Sequence, residues 1–175
     1  MSKDPRYPVG PFQPKASTTL AERKALIRQI ADAPAALQKA IDGLNVAQLD
    51  TPYRDGGWTI RQVVHHVPDS HMGGFMRLKW AMTEDAPTIK AYDQDAWSKL
   101  PDVSATPVAV SVALLDNLHR RWMTILTSLD DAAFARALVH PDHGRVTVDW
   151  LVQMYAWHGR HHVAHITSLR ERMRW

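Results

Sequence analysis

The sequence predicts an all-α four-helix bundle, and three observations carry that reading. Four long stretches repeat apolar residues at helical spacing, no comparable array of strand-like runs exists, and one long proline-bearing connection separates the second stretch from the third. With 175 residues the chain suits one domain, residues 1–175, with a substantial core. A hydrophobic content of 45% against 22% charged residues is that of a globular protein.

Residues 1–16 contain Pro5, Pro8, Gly10, Pro11 and Pro14, which make an extended arm. The first helix starts after Thr19, where Thr19 and Glu22 form a capping box, and runs to a stop at Gly43. Pro34 cannot donate to the carbonyl of Ile30, so a kink is expected there, with the stripe of Leu26, Ile27, Ile30, Leu37 and Ile41 keeping its phase. A helical turn from Asn45 to Leu49 follows. Thr59 and Gln62 cap a second helix reaching about Thr83, which Pro68 should kink and Gly73-Gly74 weaken.

Residues 84–106 read as a long crossover with one helical turn near Asp93 to Leu100. Pro107 suits the first position of a third helix ending near Leu129, with His119, Arg120 and Arg121 toward its wetter side. A short helix over 130–137 leads to a turn at His140-Pro141-Asp142-His143-Gly144 that can join strands 137–139 and 145–148 into a β-hairpin. Thr147 caps the last helix, which runs to about Arg174.

Composition restricts the chemistry. The chain has no cysteine, which excludes disulfides, thiolate metal sites and a cysteine nucleophile, and leaves nitrogen and oxygen ligands for any metal. Basic residues number 21 against 18 acidic ones and form no block, so nucleic acid is not an expected partner. No run approaches a membrane span, and a cytoplasmic location is the default expectation. Apolar bundle faces and the long arm make a homodimer an expectation of the same standing.

Four of the ten histidines lie in His158-Gly159-Arg160-His161-His162-Val163-Ala164-His165. At 3.6 residues per turn, His162 lies about 40° and His158 about 80° from the centre of the apolar stripe, whereas His161 lies about 140° away. His158 and His162 therefore face the interior together, four residues apart, as two imidazoles on one metal ion require. His165, at about 100°, is either a flanking group or a fourth ligand that would close the site. A third ligand must come from another helix, and His65, His66 and His71 are the candidates that periodicity leaves open. Asp69 and Ser70 can orient an imidazole or a bound water, and Glu84, Asp93 and Asp95 are further carboxylates for proton transfer. Arg54 and Arg160 are candidates for holding an anionic substrate.

Three segments carry a resemblance: Gly56-Gly57-Trp58-Thr59-Ile60-Arg61-Gln62-Val63-Val64-His65-His66 through Asp69-Ser70-His71-Met72, Thr83-Glu84 through Tyr92-Asp93 to Ala96-Trp97, and Trp157-His158 through His161-His162 to His165-Ile166. Together with Tyr7-Pro8 and Tyr53-Arg54-Asp55, they resemble the YfiT-type branch of the DinB-like superfamily over nearly the whole chain. That resemblance implies a four-helix bundle whose metal is held by His66, His158 and His162; a histidine-only set suits zinc first, and nickel or another divalent ion can replace it. The resemblance also implies a metal-dependent hydrolase acting on a small molecule, or a transferase that activates bacillithiol or another low-molecular-weight thiol. A metal-binding stress-response protein without turnover is the non-enzymatic alternative.

Overall fold

The computed structural model describes residues 4–175, so the first three residues of the expected arm lie outside the described residues. Four long helices form the bundle: α1 (Leu20–Ile41), α3 (Ile60–Thr83), α6 (Val108–Leu126) and α8 (Val148–Met173). Short helices α2 (Val46–Leu49), α4 (Gln94–Trp97), α5 (Pro101–Ala105) and α7 (Asp131–Ala135) occupy the connections. The hairpin expected before the last helix is present as antiparallel strands β1 (Ala137–His140) and β2 (Gly144–Thr147), with Leu138 opposite Val146.

Both capping boxes form, Thr19 with Glu22 and Thr59 with Gln62, and Asn45 with Gln48 makes a third at α2. Neither internal proline splits its helix, since α1 continues through Pro34 and α3 through Pro68. Three boundaries differ from expectation. α5 forms where the sequence predicts an irregular connection, because Pro101 occupies the first turn, where its missing N–H breaks no helical hydrogen bond. Pro107 caps α6 rather than opening it, and α6 ends three residues before Leu129. α7 ends at Ala135, where Arg136 already has extended geometry.

Of the three consecutive pairs of long helices, only α3 and α6 pack extensively side by side. α1 packs against α6 and α8, and α3 packs against the same two, so α1 and α3 occupy one diagonal and α6 and α8 the other. The crossover from α3 to α6 thus spans a side of the bundle. Its first part is tied to β1, with the Ile89 amide donating to the Val139 carbonyl at 3.0 Å and the Val139 amide to that of Pro87 at 2.9 Å. This attachment delivers Tyr92 to α3.

The buried apolar side chains fall into two clusters, one at each end of the bundle. One contains Ile30, Phe75, Trp122 and Tyr155; the other contains Leu37, Val67, Leu115 and Ile166. Each of the four long helices contributes to both, and between its two contributions lie Pro34, His71, His119 or the His158–His165 run. The histidines therefore form a polar layer across an otherwise apolar core. Burying that many imidazoles is tolerable only if their nitrogens find partners.

Candidate metal centre

The structure brings His66 of α3 together with His158 and His162 of α8, one nitrogen from each lying within 4.8 Å of the others. The Nε2 atoms of His66 and His158 are 3.2 Å apart. Ring centroids are 4.7 Å apart for His66 and His162, and 4.4 Å for His158 and His162.

Each of the three imidazoles has its Nδ1 near a partner outside the triad. His66 Nδ1 lies 3.3 Å from the Tyr92 hydroxyl, His158 Nδ1 3.2 Å from His71 Nε2, and His162 Nδ1 3.4 Å from His165 Nδ1. With Nδ1 carrying the proton in each ring, Nε2 remains as the lone-pair donor. Burial, reinforced by neighbouring histidines, lowers all three pKa values, that of His66 to about 4. The rings are consequently neutral at neutral pH, the form that binds a metal.

Two lone pairs directed at one another across 3.2 Å repel unless a cation lies between them. Two imidazoles on one tetrahedral zinc hold their donor nitrogens about 3.3–3.4 Å apart, which follows from zinc–nitrogen distances of about 2.0–2.1 Å. Donor chemistry, tautomers and spacing therefore fit a divalent ion. Gly159 permits the close helix approach beside this site, because a Cβ there would come within 3.1 Å of the Ala33 Cβ.

The other sequence candidates separate cleanly. His65, adjacent to His66, turns instead to α6, where its Nδ1 lies 2.7 Å from the Ser111 hydroxyl. His71 stands behind His158 and outside the converging triad. His165 has both nitrogens occupied, Nδ1 by His162 and Nε2 by the Arg6 carbonyl at 3.3 Å. This arrangement leaves it no lone pair for a fourth coordination position, although His161, His162 and His165 also gather within 4.8 Å.

Two expectations drawn from helical phase need correction. His161 is buried, not on an outer face, because the N-terminal arm covers that side of α8. Trp157 Nε1 donates to the Gly10 carbonyl at 3.0 Å, Phe12 packs against Trp150 and Trp157, and the His161 ring stacks on Trp157. His119 is 2% exposed rather than on the wet side of its helix, while Arg120 beside it is exposed. Its Nδ1 lies 2.8 Å from the Ile30 carbonyl, so an acceptor on α1 draws it inward.

Asp69 does not share the cavities that His158 lines; it borders a groove on α3 with Met72, Met76 and Trp80, where burial and then Asp102 raise its pKa to about 6. Asp93 caps α4, Asp95 accepts from Trp58 Nε1 at 3.0 Å, and Glu84 is an exposed helix terminus. Of the two arginines, Arg54 lines the cavity over the histidines, whereas Arg160 is exposed beside α1.

That cavity, about 510 Å³, is walled by Arg6, Tyr7, Arg54 and Trp58 and floored by His158, His161 and His162. A second cavity of about 430 Å³ reaches His158 from the side of Tyr92, Arg77 and Tyr155. Tyr92, Trp58 and His119 are the residues to which sequence reasoning assigned no role at the site. A tyrosine eight residues into a crossover has no phase to announce its direction.

A bundle with this helix order and a histidine triad joining its second and fourth long helices belongs to the DinB superfamily, whose family model matches residues 29–166. A protein of Bacillus mycoides named "putative metal-dependent hydrolase" is 51% identical over 173 residues, covering 99% of each chain. A Bacillus cereus protein of the same name is also 51% identical, over 98% of this chain and 99% of its own. Among solved structures, YfiT from Bacillus subtilis, described as a probable metal-dependent hydrolase with an unusual four-helix bundle topology, superposes with a TM-score of 0.95. It is 44% identical, with 98% of each chain covered.

Proposed function

We propose that this protein is a metal-dependent enzyme that holds a divalent ion on His66, His158 and His162 and acts on a small molecule admitted through the cavity above them. The observation that carries this reading is that three neutral imidazoles, each with Nδ1 engaged elsewhere, converge beside an open cavity whose floor includes two of them, His158 and His162. When bound there, a divalent ion supplies Lewis acidity and lowers the pKa of a coordinated water or thiol. Zinc is the first expectation for an all-imidazole site and nickel the second.

The residues around the triad divide the remaining work. Arg54 gives the cavity a cationic group suited to an anionic part of the substrate, whereas Arg6 beside it is paired with Asp4 at 2.8 Å. Trp58 sets its ring edge-on to His66 at 4.7 Å and supplies an apolar wall. Tyr92 fixes the orientation of the His66 ring.

Hydrolysis is the activity that the names of the relatives support. Transfer of a low-molecular-weight thiol such as bacillithiol is a second reading, favoured by the engagement of nearby carboxylates: Asp95 bonds to Trp58 and Asp93 caps a helix. A thiol, with a pKa of about 8.5, needs less help from a general base than water does.

The test is to load the purified protein with zinc or nickel and assay ester and amide hydrolysis beside conjugation of bacillithiol to monochlorobimane. Metal-dependent turnover abolished by H158A supports the enzyme reading and identifies the branch. Tight metal binding without turnover in either assay points to a binding protein.

A further inference from the structure

Behind His158 a line of three histidines crosses the polar layer and ends on a backbone carbonyl. His158 Nδ1 lies 3.2 Å from His71 Nε2, His71 Nδ1 lies 2.9 Å from His119 Nε2, and His119 Nδ1 lies 2.8 Å from the Ile30 carbonyl. His71 is wholly buried and His119 nearly so.

The end of this line determines its direction. A carbonyl only accepts, so His119 Nδ1 must carry the proton. A neutral His119 then offers a lone pair at Nε2, which requires the proton of His71 on Nδ1. His71 Nε2 in turn accepts from Nδ1 of His158, whose only remaining lone pair is on Nε2, the atom facing His66. The carbonyl itself is available because residue 34 is proline and has no N–H to close the helical bond to Ile30. Burial lowers the pKa of His71 and His119, that of His119 to about 4, which keeps one proton on each ring.

We propose that His71 and His119 are positioning residues of the metal centre, transmitting the polarity of the Ile30 carbonyl so that His158 presents Nε2 to the ion. The proposal rests on the His66–His158–His162 metal reading and extends it to α1 and α6. Such outer partners raise ligand basicity and fix ring orientation, and losing one costs about 10–100-fold in metal affinity.

The test uses the full chain and zinc. In zinc-loaded protein labelled with ¹⁵N-histidine, long-range ¹H–¹⁵N correlation spectra should place the proton of both His71 and His119 on Nδ1; a proton on Nε2 of either overturns the relay. This measurement needs no variant. In competition with a chromophoric chelator, H119F should bind zinc about 10–100-fold more weakly. H119Q, which keeps an acceptor toward His71, should restore most of that loss. Equal affinity of H119F and wild type, or no recovery in H119Q, also overturns the relay while wild-type zinc binding leaves the triad standing. If H158A retains stoichiometric zinc, the triad reading itself fails.

Discussion

At the residue scale, neighbours in sequence part company according to which nitrogen finds a partner. His65 and His66 both sit on α3, yet one bonds Ser111 on α6 and the other meets His158. His161 and His162 divide similarly, with His161 lying on Trp157 beneath the arm. Substituting His66, His158 or His162 by alanine should each abolish stoichiometric zinc, whereas H161A should retain it. Metal analysis of the purified variants decides this, and full occupancy in any of the first three would remove that residue from the triad. Tyr92 gives a graded version: Y92F removes the oxygen facing His66 Nδ1, 3.3 Å away, and should weaken zinc binding without abolishing it.

At the scale of single elements, α3 is held close to its neighbours by an absent side chain. A Cβ on Gly74 would lie 2.4 Å from Tyr155 Cζ and 2.7 Å from the Trp122 ring, both in the core. The paired glycines that read as a weak point are thus, at Gly74, a packing requirement. G74A gains helix propensity but must displace two aromatic rings, and overpacking of this kind costs about 1–3 kcal/mol. Urea denaturation should show the loss; unchanged stability would mean that α3 shifts freely at this contact. Half-buried Gly73, where a Cβ meets nothing, is the control on the same helix.

Across the whole molecule, two buried polar systems govern stability. One joins α1, α7 and α8: Arg23 bonds Asp149 at 3.0 Å and Asp131 at 2.6 Å, while Thr18 and Gln153 also bond Asp149. D149A leaves the buried Arg23 guanidinium with Asp131 as its remaining carboxylate and takes the acceptor from Thr18 and Gln153, so it should cost less than the ~3–5 kcal/mol of a wholly unpaired buried charge, read as a fall in denaturation midpoint. The other system is the histidine layer. Burial holds His66, His119 and His165 at about 4, below the ordinary 6.5. As pH falls from 6.5 toward 4, the unfolded chain takes up protons that the folded chain refuses. Stability is therefore full above about 6.5 and declines through that window. Thermal melts of chelator-treated protein at stepped pH should show the decline, and a flat profile would contradict it. No helix among the described residues is long and apolar enough to cross a membrane.

The four long helices, the hairpin and the shared face of His158 and His162 were legible in the amino-acid sequence. Capping boxes at Thr19 and Thr59 mark helix starts because they are local hydrogen bonds, and the phase of His158 and His162 is local too. His66 emerged only through resemblance, since phase on α3 did not separate it from His65. The diagonal arrangement of α1 and α3, the burial of His161 under the arm, and the inward turn of His119 were decided by tertiary structure alone. Each depends on a partner distant in the chain, the Ile30 carbonyl 89 residues from His119 being the clearest case. Pro34 announces in sequence that this carbonyl is free, but only the folded bundle supplies the donor that fills the vacancy.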